Sequence, residues 1–212
     1  MIHIETITTI KDPKIVLARK LTSSIGRTVL QRCLLEGSEN IERALEAHMQ
    51  LEHIFYHIAA HADRLVAQLT QRGIPCYGMS DGILKKVTHT TRVYPYIGVA
   101  ALPPALSEPM DAVVLVIEHV QSHYVLGSLI RAASALGIRD ILSTDVQLDL
   151  FYRKIISASE GTVFTARVRR FRSASEILDL LTKQGYRHVT TSPLSRDFEA
   201  IALFQKDALT LA

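Results

Sequence analysis

What the sequence has little of narrows its function first. No stretch of the 212 residues approaches the roughly eighteen unbroken apolar residues that a bilayer-crossing helix needs. No membrane span, and no membrane partner, is therefore expected. The opening Met1-Ile2-His3-Ile4-Glu5-Thr6 has neither the basic start nor the apolar core of a secretory signal, so a cytoplasmic location is the expectation. Cysteine is scarce: Cys33 and Cys76 stand alone, without metal-ligand spacing, and read as small hydrophobes rather than catalysts. The sequence also lacks a Gly-x-Gly-x-x-Gly turn, a Walker-type phosphate loop and a Gly-x-Ser-x-Gly elbow. That argues against dinucleotide-binding, nucleotide-hydrolysing and serine-hydrolase readings. Neither an internal repeat nor a low-complexity tract is present.

What is there is an ordinary globular composition, 48% hydrophobic and 21% charged, in a chain long enough for one large or two small domains. The net charge of +3 is too small to imply a polyanion partner, but its distribution says more. Lys11, Lys14, Arg19, Lys20, Arg27 and Arg32 face a single acid, Asp12. Arg153, Lys154, Arg167, Arg169, Arg170 and Arg172 face Glu160. Either stretch could meet phosphate. Clusters of this size are also common on solvated surfaces, so the charge supports an RNA partner without establishing one.

Along the chain, Asp12 and Pro13 are the N-cap and first-turn residues of a short helix through Leu21. Thr28–Leu35 reads as a strand, Ser38 as the cap of a helix reaching Met49, His53–His57 as a strand and 60–72 as a helix. A strand over Pro75–Met79, a helix over Asp81–Val87 and a strand over Tyr96–Leu102 complete an alternating α/β unit. Pro103, Pro104 and Pro109 then break the pattern, because proline removes backbone donors and favours extended geometry. The expected division is a first domain over 1–102, a linker over 103–110 and a second domain over 111–212. In the second domain Ala112–Ile117 is a continuous apolar run, suited to a strand buried on both faces of a parallel sheet. Helices over Gly127–Leu136 and Ser175–Gln184 follow, with strands at Ile141–Ser143, Arg187–Thr191 and Ala208–Ala212. Ligands of such sheets bind at the carboxyl ends of the strands.

The segment most suggestive of chemistry is Val120–Gly137, where a strand leads through a polar loop into a helix that carries Arg131. A guanidinium stays charged and needs an anionic partner; Asp140 and Asp145 are the intramolecular alternatives to a ligand. With Gly127, Arg131, Ala133, Ala135 and Gly137, this segment resembles the first motif of the SpoU/TrmH family of RNA ribose 2′-O-methyltransferases, usually Asn-x-Gly followed by Arg-x-Ala. Ile155–Phe164, containing Ser159, Gly161 and Phe164, resembles the family's Arg-Ala-Ser-x-Gly-x-x-Phe segment. Gly26-Arg27, Leu35-Glu36-Gly37 and the helix through Ile41–Leu45 resemble its N-terminal half. The resemblance covers nearly the whole chain.

It implies an N-terminal α/β sandwich like a ribosomal protein, binding RNA, followed by a methyltransferase domain with a C-terminal trefoil knot and S-adenosylmethionine as methyl donor. Arg131 matches the arginine that assists proton removal from the ribose hydroxyl, while Gly127, Ser159 and Gly161 match supporting positions. Lys14, Arg19, Lys20, Arg27, Arg153 and Lys154 are the expected RNA contacts. Ribosomal RNA is the substrate the resemblance implies. Family members form homodimers through the knot.

The departures also carry expectations. The motif asparagine falls at Val125, whose side chain neither donates nor accepts, and the arginine of the second block falls at Ser157. The motifs that build the knot would follow Ala212, so the expectation is a domain lacking the knot, with weakened cofactor binding and dimerisation. The alternative reading is a non-catalytic RNA-binding protein. His53, His57 and His61, with Glu52 and Asp63, have metal-like spacing across a strand-to-helix transition, and no metal is expected there. His119 and His123 flank the loop before Gly127 and read as ordinary histidines.

Overall fold

The computed structural model describes residues 5–60, 63–89, 93–103, 109–118, 120–145, 148–190 and 207–211. The chain divides into two compact units. One comprises Met1–Pro103 together with Asp149–Phe164; the other comprises Pro104–Leu148 and Thr165–Ala212. The division thus differs from a simple cut at 103–110, because sixteen residues from within the later half belong to the first unit. Residues 104–108 of the expected linker lie outside the described residues.

The first unit contains β1 (Glu5–Thr6), α1 (Pro13–Lys20), α2 (Ser24–Leu30), β2 (Arg32–Glu36), α3 (Ser38–Glu46) and β3 (Leu51–His57). It continues with α4 (Arg64–Gln71), β4 (Cys76–Met79), α5 (Asp81–Thr88) and β5 (Tyr96–Ala101). Its five-stranded sheet has the order β1-β4-β3-β5-β2. β1, β4 and β3 run parallel, whereas β5 is antiparallel to both β3 and β2. Asp12 does cap α1, accepting the Lys14 amide at 2.8 Å, with Pro13 at the first position. The core on the α1 and α5 side gathers Ile15, Ala18, Leu21, Phe55, Met79, Leu84, Val87 and Ile97.

The strand expected over Thr28–Leu35 is corrected. Ser23 accepts the Gly26 amide and starts α2, which runs through Thr28, Val29 and Leu30 until Gln31 turns left-handed at φ 52° and ends it. Only Arg32–Glu36 is strand. Local capping here outweighs the β-preference of Thr28 and Val29. The helix expected over 60–72 is shorter, α4 being preceded by a 3-10 turn at Ile58–Ala60.

The second unit contains β6 (Val113–Ile117), α6 (His123–Ala135), β7 (Asp140–Ser143), β8 (Arg167–Arg170), α8 (Ala174–Lys183), β9 (Arg187–Thr190) and β10 (Asp207–Leu211). α7 (Arg153–Ala158) lies in the segment that belongs to the first unit. All strand pairs of the second sheet are parallel, in the order β8-β7-β6-β10-β9. β6 is nearly fully buried, as its unbroken apolar run requires of an inner parallel strand. One side of the sheet packs Val114, Val116 and Leu142 against Ile177 and Leu181 of α8. α6 starts at His123, four residues before the expected Gly127, because Ser122 accepts the Val125 amide. β8 has no counterpart in the sequence reading. Among the described residues, no helix is long and apolar enough to cross a membrane.

Candidate functional site

In a parallel sheet the strand order reverses at one point, and the crevice outside the carboxyl ends there is the natural ligand site. In the second unit the reversal falls between β6 and β10. The chain leaves β6 at Ile117, passes the half-buried Glu118 and enters α6 at His123. α6 buries Leu126, Gly127, Ile130 and Ala133, so its opposite stripe faces outward. Arg131 lies on that outward stripe, as do Tyr124 and Val125 nearer the helix start. Gly127 is buried one turn before Arg131, where a small residue lets the helix approach its sheet. Of the two intramolecular partners considered for Arg131, Asp140 is engaged elsewhere.

Asp140 is fully buried at the start of β7 and pairs with the buried Arg167. Arg167 also reaches Asp111 at 2.7 Å, and Arg139 contacts the same Asp111 at 3.1 Å. The Asp111 amide donates to Asp140 at 2.6 Å, and the Tyr186 hydroxyl donates to the Asp111 carbonyl at 2.5 Å. Hydrogen bonds from Arg139 lead in holding the Asp111 carboxyl below its ordinary range, burial opposes them, and Arg167 adds to the lowering. Asp111, Asp140 and Arg167 stand at the amino ends of β6, β7 and β8, opposite the crevice. This network therefore holds the sheet and does not form the site.

The second sequence motif lies in the segment that belongs to the first unit. Ser159 is buried in the first unit, and its hydroxyl donates to the Ile156 carbonyl at 3.1 Å within its own helical turn. Gly161 has φ +76°, and a Cβ there would come within 2.7 Å of the Arg43 Cβ. Only glycine combines that backbone with that closeness to α3. Both residues thus serve packing inside the first unit.

The expected RNA contacts separate into two groups. Arg27 is a correction: it is buried, donating from Nε and Nη2 to Asp149 at 2.8 and 2.5 Å, and from Nη1 to the Leu21 carbonyl at 2.6 Å. Its guanidinium also lies 5.1 Å from the Tyr152 ring centroid. Arg153 is half-buried, its guanidinium 2.9 Å from the buried Glu36. Both arginines tie residues 149–164 to β2 and its neighbours. Lys20 and Lys154 are exposed. Lys14 is half-buried, 3.7 Å from Glu5 and over the Tyr77 ring, and Arg19 donates to His89 at 3.4 Å.

Cys33 is buried, which pushes its thiol up to about 12 and removes it as a nucleophile. His57 pairs with Asp81 at 3.0 Å rather than with His53. His61 and His119 lie outside the described residues. The sequence reading did not single out Asp149 and Asp111, and it named Glu36 only within a family resemblance, without its ion-pair partner. Their roles depend on partners distant in sequence, so no local pattern marks them.

One unit with a wholly parallel sheet and an exposed arginine on its first helix, and another with a mixed sheet and exposed lysines, define a two-part α/β protein. The SpoU rRNA Methylase family matches residues 112–211, and the MRM3-like substrate binding domain matches residues 12–97. Residues 112–211 thus form a domain of the SpoU rRNA methylase family, and over most of its length the chain is similar to the SpoU/TrmH RNA methyltransferases. It is 28% identical over 175 residues to the 23S rRNA (guanosine(2553)-2′-O)-methyltransferase RlmP of Bacillus subtilis, spanning 82% of this chain and 68% of that protein. It is 26% identical over 202 residues to the uncharacterized tRNA/rRNA methyltransferase slr1673 of Synechocystis sp., spanning 90% and 71%. A crystal structure of an RNA 2′-O ribose methyltransferase superposes with a TM-score of 0.81 at 27% identity, covering 97% of this chain and 80% of that one. The AdoMet-bound rRNA methyltransferase from Sinorhizobium meliloti, at 19% identity and a TM-score of 0.78, shares the fold.

Proposed function

We propose that this protein transfers a methyl group from S-adenosylmethionine to a ribose 2′-hydroxyl of RNA, with ribosomal RNA as the substrate class and the cytoplasm as the place of action. The observation that carries the reading is the position of Arg131: exposed on α6, the helix that follows β6 at the switch point of a wholly parallel sheet, within the segment matched to the SpoU rRNA methylases. Glu118, half-buried just beyond the carboxyl end of β6, offers a carboxylate for the ribose hydroxyls of the donor. When bound, the donor supplies an electrophilic methyl group. Arg131, permanently charged, would hold the RNA phosphate beside the attacking hydroxyl and stabilise the oxygen as its proton leaves. The exposed Lys20 and Lys154 add sequence-independent attraction to the backbone. A homodimer belongs to the same reading; sedimentation equilibrium tests it, and a monomer would remove that part alone.

A second reading, a non-catalytic RNA-binding protein, is favoured by one observation. Val125 stands near the start of α6 with an apolar, half-exposed side chain where the family motif has asparagine. One experiment separates the two. S-adenosylmethionine is titrated calorimetrically into the protein and into Arg131→Ala, and labelled methyl transfer to an unmodified 23S ribosomal RNA transcript is then measured. Transfer by the parent and a rate about 100- to 10,000-fold lower in the variant, with cofactor affinity unchanged, supports methylation. RNA binding without transfer favours the second reading. Absence of both sinks the RNA assignment.

A further inference from the structure

We infer that Tyr124 is a base-stacking residue that positions the RNA strand at the α6 site, an inference that rests on the RNA reading above. The fold accounts for the other six of the seven tyrosines. Tyr56, Tyr77, Tyr96 and Tyr186 are buried, Tyr94 packs against the core of the first unit, and Tyr152 lies under the Arg27 guanidinium. Tyr124 is 74% exposed, and it is the only tyrosine or phenylalanine among the described residues with a large exposed surface. No hydrogen bond, ring contact or cation contact involves it among those residues. An aromatic ring left in water stabilises nothing in the folded chain, so its reason lies in what it meets.

Position indicates what that is. Tyr124 is in the first turn of α6, seven residues before Arg131. Seven residues are close to two helical turns, so the two side chains share one stripe, separated by about 10 Å along the axis. Ser128, the residue between them on that stripe, is small, so no bulky side chain of α6 separates ring from guanidinium. A flat π-face next to a fixed cation matches the alternation of base and phosphate along a single strand. Unstacked bases in RNA are held in this way, on aromatic faces with arginine nearby. With Arg131 engaging the phosphate beside the reacting ribose, Tyr124 would stack on the base of that nucleotide or its neighbour. Tyr124 thus acts as a positioning residue and takes no part in proton transfer.

The chain contains no tryptophan, so Tyr124→Trp introduces a single indole reporter. Titration of this variant with polyadenylate, a single-stranded RNA that stacks well, should quench its emission. The KM of Tyr124→Ala for the 23S transcript should rise roughly 5- to 150-fold, with Tyr124→Phe near the parent because its π-face is intact. Cofactor affinity and melting temperature should be the same in all variants. Unchanged emission with RNA, together with a parental KM in Tyr124→Ala, overturns the inference while leaving methylation standing. Emission that shifts with protein concentration and not with RNA also overturns it, assigning the ring to contact with a second copy of the chain. Quenching by RNA in a protein that transfers no methyl group supports the stacking role and rejects only the catalytic reading.

Discussion

The two sheets use ion-paired arginines to different ends. In the mixed-sheet unit, Arg27 and Arg153 reach carboxylates more than a hundred positions away in sequence and tie a returning segment onto β2 and its surroundings. In the parallel-sheet unit, Arg167 neutralises two carboxylates at the amino ends of neighbouring strands. The first arrangement joins pieces of chain; the second makes an acidic sheet end tolerable. The Arg27 charge can be lost by releasing residues 149–164 to water, where the orphaned Asp149 is hydrated. A charge of the second kind cannot be lost without leaving Asp140 inside, because β7 is an inner strand.

The largest effect should therefore come from Arg167→Met, with a cost of about 3 to 5 kcal/mol in urea unfolding. The paired change Arg167→Met with Asp140→Asn should recover much of that loss. A double variant as unstable as the single would break the distinction between neutralising and joining. Arg27→Ala should cost less, about 2 to 3 kcal/mol, because Asp149 is already 22% exposed and can turn to water. Its distinctive result should be faster protease cleavage within residues 149–164, with the parallel sheet unaffected. Equal protection in parent and variant would show that apolar packing alone holds the segment.

The smallest expected effect concerns pH and the first unit. His53 sits against Phe55 and Tyr77, with ring centroids 4.9 and 5.8 Å away, and its Nε2 is buried without a hydrogen-bond partner. Burial lowers its pKa from 6.5, with Glu52 opposing and Lys14 and Arg32 assisting. A lowered folded value means that the unfolded chain takes up the proton first. Stability from this group is then complete above pH 6.5 and declines as pH falls below it. His53→Leu should flatten that part of the profile; an unchanged slope would place the dependence on other groups.

Much of the framework was legible because its signals are local. The apolar run of β6 implied a doubly buried parallel strand, and Asp12-Pro13 marked the start of α1 within a residue. Gly127 and Arg131 were marked by resemblance to a family motif, a local pattern that can be read without knowledge of the fold. What the sequence could not display was pairing at a distance. Arg27 and Arg153 looked like phosphate contacts because Asp149 and Glu36 lie 122 and 117 positions away. β8 was overlooked because Arg167-Val168-Arg169-Arg170 looks too charged for a strand until Asp140 is seen beside Arg167. Thr28–Leu30 of α2 was read as strand because Thr28 and Val29 are β-branched, and the cap at Ser23 went unread.

The order β6-β10-β9 has a consequence for synthesis on the ribosome. β9 leaves the exit tunnel before β10, yet the place it must occupy is defined only once β10 lies between it and β6. Until residues 207–211 emerge, the half-made sheet presents β6 as an open, apolar edge, and β9 has nothing to pair with. Nascent chains paused in this interval are where chaperones should bind and where mispairing between neighbouring polysomal chains should begin.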